Sequence, residues 1–322
     1  LEAKGYLLPD FYSGATGIPG RFSEGILLRR LHPQGATKMS IIQVGLVDTT
    51  GKLNPDLVQA AAAALNIQVA RDLPQFWPVQ ATVQYLPHAT KVPAGVWPVQ
   101  LVPSLPPPEG GFHLTKHNQP YAKVIATPDD DSWTIDASHE TIEMLIDPSG
   151  NKMQSSISIE ISGDGVVDGT SQFNYLVEAC DPCEANGLAY AIQGIVVSDF
   201  LTPHYYDPIV TPGTRYSFSG SLTAPRQLLR GGYISYVDEA ADEWMQILWV
   251  DPGAPVYNTL GPAPADTKSM RQWIDGVMMH RQGHQSQQNA IHHRDAKLVN
   301  QEQEHRANLE KIAVARARFY GH

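Results

Sequence analysis

The feature that most constrains this chain is an ordered run of elements between residues 38 and 146. It consists of one apolar strand, a helix with a clearly marked start, three further strands and a second helix. Lys38–Val47 (K-M-S-I-I-Q-V-G-L-V) is β-branched and apolar, which predicts a buried strand. Asn54 is a good N-cap, Pro55 suits the first helical position and Asp56 favours the helix dipole. The helix that follows places Leu57, Ala61, Leu65 and Val69 at four-residue spacing. It should end near Leu73, because Pro74 disfavours helical geometry in the residue before it. Val79–Leu86 alternates as a half-buried strand does, and Val96–Val102 carries Pro98, which predicts an edge or bulged strand. Phe112–Ala126 has strand-like ends around His117-Asn118-Gln119-Pro120, and a helix over about 136–146 stops at Asp147-Pro148-Ser149-Gly150.

Beyond residue 150 the pattern shifts to short strands at Ser155–Ile161, Tyr190–Ile192, Ile195–Phe200, Tyr216–Leu222 and Tyr233–Val237. Gln193-Gly194 supplies a hairpin turn. Pro252–Pro264 reads as a Pro/Gly-rich linker, and from Thr267 the chain is polar with helical propensity. Leu298, Glu302, His305, Leu309, Ile312, Arg316 and Phe319 form a seam there on alternating four- and three-residue steps. The organisation expected is an irregular arm over 1–37, a main domain over 38–210, additional strands over 211–261, and a linker with a helical tail over 262–322.

Charge excludes one class of partner. The 322 residues carry a net charge of −10, unsuited to a nucleic-acid surface. No apolar stretch approaches the roughly 18 residues of a membrane-spanning helix. The charge is also uneven. Residues 267–322 hold nine basic and five acidic side chains, so the remainder is strongly acidic. A basic tail on an acidic body suggests that the tail meets an acidic surface, such as that of a second copy.

The residues that carry chemistry are Ser138-His139-Glu140-Thr141-Ile142-Glu143. On a helix, His139 and Glu143 are one turn apart on the same face, the spacing at which two side chains share a metal ion. Glu140 projects about 100° round the helix, where it could take a proton from a metal-bound water. Thr141, Ile142, Met144, Leu145 and Ile146 anchor the helix.

With this motif, and with the order of helix, three strands and motif helix before it, the chain resembles the zincin metallopeptidases, whose active helix reads H-E-x-x-H. The resemblance implies an α+β fold with a zincin-like mixed sheet, to which the strand pattern beyond 150 adds a β-rich region and the polar run from Thr267 a long helical C-terminal tail. It implies His139 as a metal ligand and Glu140 as general base, with the strand segment around 112–126 lining up an extended peptide. Position 143 departs from the family, being Glu where the family has His. A carboxylate there still binds zinc, and its harder donor set admits Mn or Ca as well. Asn174–Asp181 is similar to the glutamate-zincin pattern, which implies Glu178 as third ligand and Asp181 as the acceptor that orients His139. The family spacing between those two acids is usually one residue longer. Asp147, Glu184 and His204 compete as third ligands, and Tyr205 or Tyr206 could supply an oxyanion donor.

Two functions from different classes follow. One is a metal-dependent hydrolase, a metallopeptidase in which Glu140 activates a water on a metal held by His139, Glu143 and Glu178. The other is a catalytically silent zincin-like subunit of a homo-oligomer held by its N-terminal arm and C-terminal helix. Cys180-x-x-Cys183 reads first as a local disulfide or a pair of buried thiols, and only then as a redox pair. Asp129-Asp130-Asp131 reads as an acidic loop before the helix, and His280 and His284 as solvated.

Overall fold

The computed structural model of the chain describes residues 41–87, 92–106, 110–163, 165–250 and 253–282. The expected N-terminal arm and the seam from Leu298 to Phe319 lie outside the described residues. Helices and several sheets coexist among the described residues, so the class is α+β.

The first sheet is built from β1 (Ile42–Asp48), β2 (Ala81–Tyr85), β3 (Val96–Val102), β4 (Gly111–Lys116) and β5 (Gln119–Ile125), in the order β2-β1-β3-β5-β4. Four strands are parallel, and the edge strand β4 runs antiparallel to β5. Between β1 and β2 lies helix α1 (Pro55–Ile67). Asn54 caps it as expected, with the Asp56 amide donating to Asn54 Oδ1 at 2.9 Å. Instead of running as one α-helix to Leu73, the chain widens after Ile67 into a π turn and then tightens into a 3₁₀ turn that ends at Gln75. The β4–β5 hairpin turns at His117 and Asn118, whose φ values of 51° and 59° give the left-handed pair that a two-residue hairpin needs.

Val96–Val102 is a central strand rather than an edge one. β5 pairs with β3 only from Val99 onward, so Pro98 faces β1 on one side and no partner strand on the other. A residue flanked on one side can lack an N–H without breaking a ladder.

Helix α2 (Trp133–Ile146) is buried along nearly its whole circumference, polar residues included. It is tied to the turn that follows α1 through a closed hydrogen-bonded ring. Ser138 Oγ donates to Gln68 Oε1 (2.8 Å), Gln68 Nε2 to the Ser198 carbonyl (2.9 Å), and the Ser198 amide to Ser138 Oγ (3.0 Å). Asp130 caps the turn before α2, accepting from the Ser132 amide and hydroxyl.

The second sheet is antiparallel throughout. It consists of β6 (Met153–Ser162), β7 (Gly165–Leu176), β10 (Tyr233–Asp238), β11 (Glu243–Leu248) and β12 (Val256–Gly261), in the order β12-β11-β10-β7-β6. Its two edges meet where the Ile161 amide donates to the Tyr257 hydroxyl at 2.8 Å, so the sheet is strongly coiled. Strand β12 falls inside the expected linker 252–264. A two-stranded hairpin, β8 (Tyr190–Ile192) and β9 (Ile195–Val197), turns at Gln193-Gly194 as expected, both with positive φ.

Tyr216–Leu222 is not a strand. Asp199 gathers this segment into a loop, accepting from the Ser219 amide and from the Ser219 and Ser221 hydroxyls at 2.6–2.8 Å. Short polar side chains that bond a nearby carboxylate compete with a ladder for the same backbone.

Helix α3 (Met270–Gln282) docks on the second sheet through Ile274 and Trp273, which pack with Leu176, Trp244 and Leu260. Its first turn is tied to the turn after α2. The Arg271 amide donates to the Gly150 carbonyl and the Met270 amide to Asn151 Oδ1. Gly150 has φ 64°, and a Cβ there would lie 2.6 Å from Ser269 Oγ and 2.8 Å from Arg271 Cβ. Only glycine lets the two segments meet this closely.

Candidate metal centre

Helix α2 delivers His139, Glu140 and Glu143, and the loop leaving β7 delivers Glu178 and Asp181. That loop is anchored at both flanks. The Val177 amide donates to the Lys152 carbonyl and the Leu201 amide to the Ala179 carbonyl. The Cys180 amide donates to Glu143 Oε1 at 3.0 Å, so the motif helix itself fixes the loop. All five residues named from the sequence therefore come together in one buried cluster.

Within it, His139 Nε2 lies 3.3 Å from Glu143 Oε2 and 3.1 Å from Asp181 Oδ1. Neither oxygen has a hydrogen-bond partner, although both are buried. Asp181, not Glu178, is the acid that joins the His139–Glu143 pair. Glu178 Oε2 instead accepts from Arg271 Nη1 of α3, which also donates to Asp181 Oδ2 at 2.9 Å. Arg271 Nε donates to Asp275 Oδ2 at 3.0 Å, and the guanidinium lies 5.6 Å from the Tyr233 ring centre.

Sequence reasoning missed His113 and Arg271. His113, on edge strand β4, places Nδ1 3.3 Å from Glu140 Oε2 and Nε2 3.1 Å from the Asp147 carbonyl. Arg271 was visible only as part of the basic tail, and the acidic surface it meets is in its own chain. Gly111, also on β4, has a spacing role: a Cβ there would sit 3.0 Å from Glu140 Cγ and Oε1.

The other candidates are engaged elsewhere. Asp147 accepts from Ser149 and from the Lys152 amide. His204 is half-exposed and pairs with Asp207. The Tyr205 hydroxyl donates to the Gln227 carbonyl. Cys180 and Cys183 are free, buried thiols. Burial, with Glu143 and other acids nearby, pushes both well above the ordinary thiol value, which suppresses the thiolate that redox chemistry needs. Glu184 lines a pocket of about 270 Å³ that also opens on His139, Glu140, Tyr233, Arg271 and Asp275.

The electrostatics follow from burial and close charges. Burial disfavours the His139 imidazolium, but Glu143 and Asp181 outweigh it and hold the ring well above the usual histidine value. Burial pushes the Glu143 carboxyl up, but His139 and Arg271 outweigh it and hold it at about 2. For Glu178, burial prevails over Arg271 and the carboxyl lies well above its ordinary range.

These shifts set opposite pH windows in the metal-free protein. Glu143's contribution to stability is complete above its ordinary 4.5 and disappears as pH falls towards 2. His139's is complete below its ordinary 6.5 and disappears as pH rises through the raised folded value. The urea midpoint of chelator-treated protein is expected to fall between about pH 4.5 and 2, and to fall less steeply in Glu143→Gln. An unchanged slope in that variant would show that Glu143 is not held in its charged form.

The donor set suits a divalent cation. A tetrahedral site with bonds of about 2.05 Å has ligand atoms roughly 3.3 Å apart, close to the two separations measured from His139 Nε2. Comparison with protein-family models, curated proteins and solved structures finds no match to this chain. The site is therefore read from its own geometry.

Proposed function

We propose that the chain is a zincin-like metal-dependent hydrolase acting on peptides, with a divalent cation held by His139, Glu143 and Asp181. One observation carries this reading: two buried carboxylate oxygens, from Glu143 and Asp181, converge on a single imidazole nitrogen and neither is hydrogen-bonded. One N–H serves two acceptors only through a weaker, bifurcated bond, and here it satisfies neither, whereas one cation bonds all three atoms. The sheet of four parallel strands with an antiparallel edge, preceding the motif helix, supports the zincin-like part of the reading.

When bound, the cation supplies Lewis acidity that polarises a carbonyl and lowers the pKa of a water. The rest falls to the protein. Glu140 lines the pocket beside His139, where its carboxylate can take a proton from the attacking water and return it to the leaving amine. Arg271 holds Asp181 through Oδ2 and leaves Oδ1 turned to His139. Glu178, the third ligand expected from the glutamate-zincin pattern, acts in this reading by fixing Arg271.

Elemental mass spectrometry of native protein should find a transition metal bound in whole-number ratio to the chain. His139→Ala should lose one equivalent. Native protein that binds no cation after incubation with Zn²⁺ or Mn²⁺ would sink the reading.

A further inference from the structure

Glu143 Oε2 belongs to two groups of potential ligands at once. Besides facing His139, it lies 3.8 Å from His113 Nδ1, which is itself 3.3 Å from Glu140 Oε2. The three side chains His113, Glu140 and Glu143 are all buried, and Glu143 Oε2 has no hydrogen-bond partner.

The tautomer of His113 follows from its surroundings. Nε2 lies 3.1 Å from the Asp147 carbonyl, which can only accept, so Nε2 carries a hydrogen. Nδ1 is then the atom turned towards two carboxylate oxygens. A bare lone pair in that position is repelled by both, so a positive charge must lie between them, either a proton or a cation. An imidazole whose other nitrogen donates to a backbone carbonyl is also the arrangement in which metal-ligating histidines are held.

Geometry favours the cation. A proton on Nδ1 can be donated to Glu140 Oε2, 3.3 Å away, but leaves Glu143 Oε2, at 3.8 Å, beyond hydrogen-bond reach, whereas one cation seated among the three atoms bonds all of them.

We propose that His113 Nδ1, Glu140 and Glu143 form a second divalent-cation site, with Glu143 bridging it to the first. The proposal rests on the reading of the His139 site given above. One imidazole and two carboxylates make a donor set suited to Mn²⁺ or Zn²⁺. Paired sites of this kind usually place their ions about 3.5–4 Å apart, a separation that one bridging carboxylate spans.

The test is a titration of metal-stripped full-length protein with Mn²⁺, followed by equilibrium dialysis and elemental analysis. Two equivalents are expected for native protein and one for His113→Ala. Electron paramagnetic resonance of the native Mn²⁺-loaded protein, which needs no variant, should show an exchange-coupled pair rather than an isolated six-line spectrum. One equivalent with an uncoupled spectrum in native protein would overturn the second site and leave the first standing, with a proton between His113 and Glu140. No bound Mn²⁺ or Zn²⁺ in native protein would overturn both.

Discussion

Glu140→Gln is expected to slow peptide hydrolysis by about 10²–10⁴-fold, the range that a positioned acid–base group contributes, while the cation at His139, Glu143 and Asp181 stays bound. The substitution is nearly isosteric. It keeps the close packing of the side chain on Gly111 and removes the charged carboxylate, which takes the proton and, in the second site inferred above, binds a cation. Glu140 suits the role by position. It follows His139 on α2, lines the same pocket, and has its carboxylate steadied by a buried histidine from the edge strand. The measurement is turnover of a peptide library beside the metal content of the same sample. A variant that cleaves within a few-fold of native, in a preparation free of other peptidases, would remove Glu140 from the chemistry. Loss of the His139-side cation in the variant would instead make it a ligand of that site.

The second large effect concerns stability. Arg271→Gln is expected to destabilise the metal-free protein by about 3–5 kcal/mol, the usual cost of removing one partner from a buried charge cluster. The guanidinium contacts Glu178, Asp181 and Asp275, and its side chain is only 10% exposed. Without it three acids are left in a dry setting with no counter-charge from α3. Saturating divalent cation should restore part of the loss, because binding to the folded state adds stability through mass action and neutralises the same carboxylates. Thermal unfolding with and without chelator measures both effects. A variant that melts with native protein in chelator would show that Arg271 does not compensate the cluster.

Local signals made much of the first sheet and its helices legible. The Asn54–Pro55–Asp56 start, the His117-Asn118 turn and the Gln193-Gly194 turn each depend on a few adjacent residues, and each appears where the sequence places it. Pro98 misled because its effect depends on where the neighbouring strand begins to pair, which no local pattern records. Strand β7 was missed because its long exposed face reads as a loop, with Gly165, Asp168, Gly169 and Thr170 in its first half. The linker reading of 252–264 failed because β12 is held by its pairing with β11 rather than by its own propensity.

The candidate site divides in the same way. His139, Glu140 and Glu143 share one helix turn and could be read directly. Asp181 was read as the acceptor for His139, and it does lie against that ring. Its convergence with Glu143, and the engagement of Glu178 by Arg271, depend on contacts between residues 38 to 93 positions apart. His113 is separated from Glu140 by 27 residues and sits on a different element. Its neighbours in sequence, Phe112 and Leu114, mark it only as part of a strand.

The distance in sequence between Arg271 and its acids has a consequence for the order of events during synthesis. Asp181 precedes Arg271 by 90 residues and Glu178 precedes it by 93. A chain leaving the ribosome therefore presents the acids of α2 and the β7 loop well before the guanidinium that neutralises them exists. On the metal-binding reading proposed above, a metal ion captured from solution is the counter-charge to hand until α3 emerges, and the centre can fill before its last wall is built.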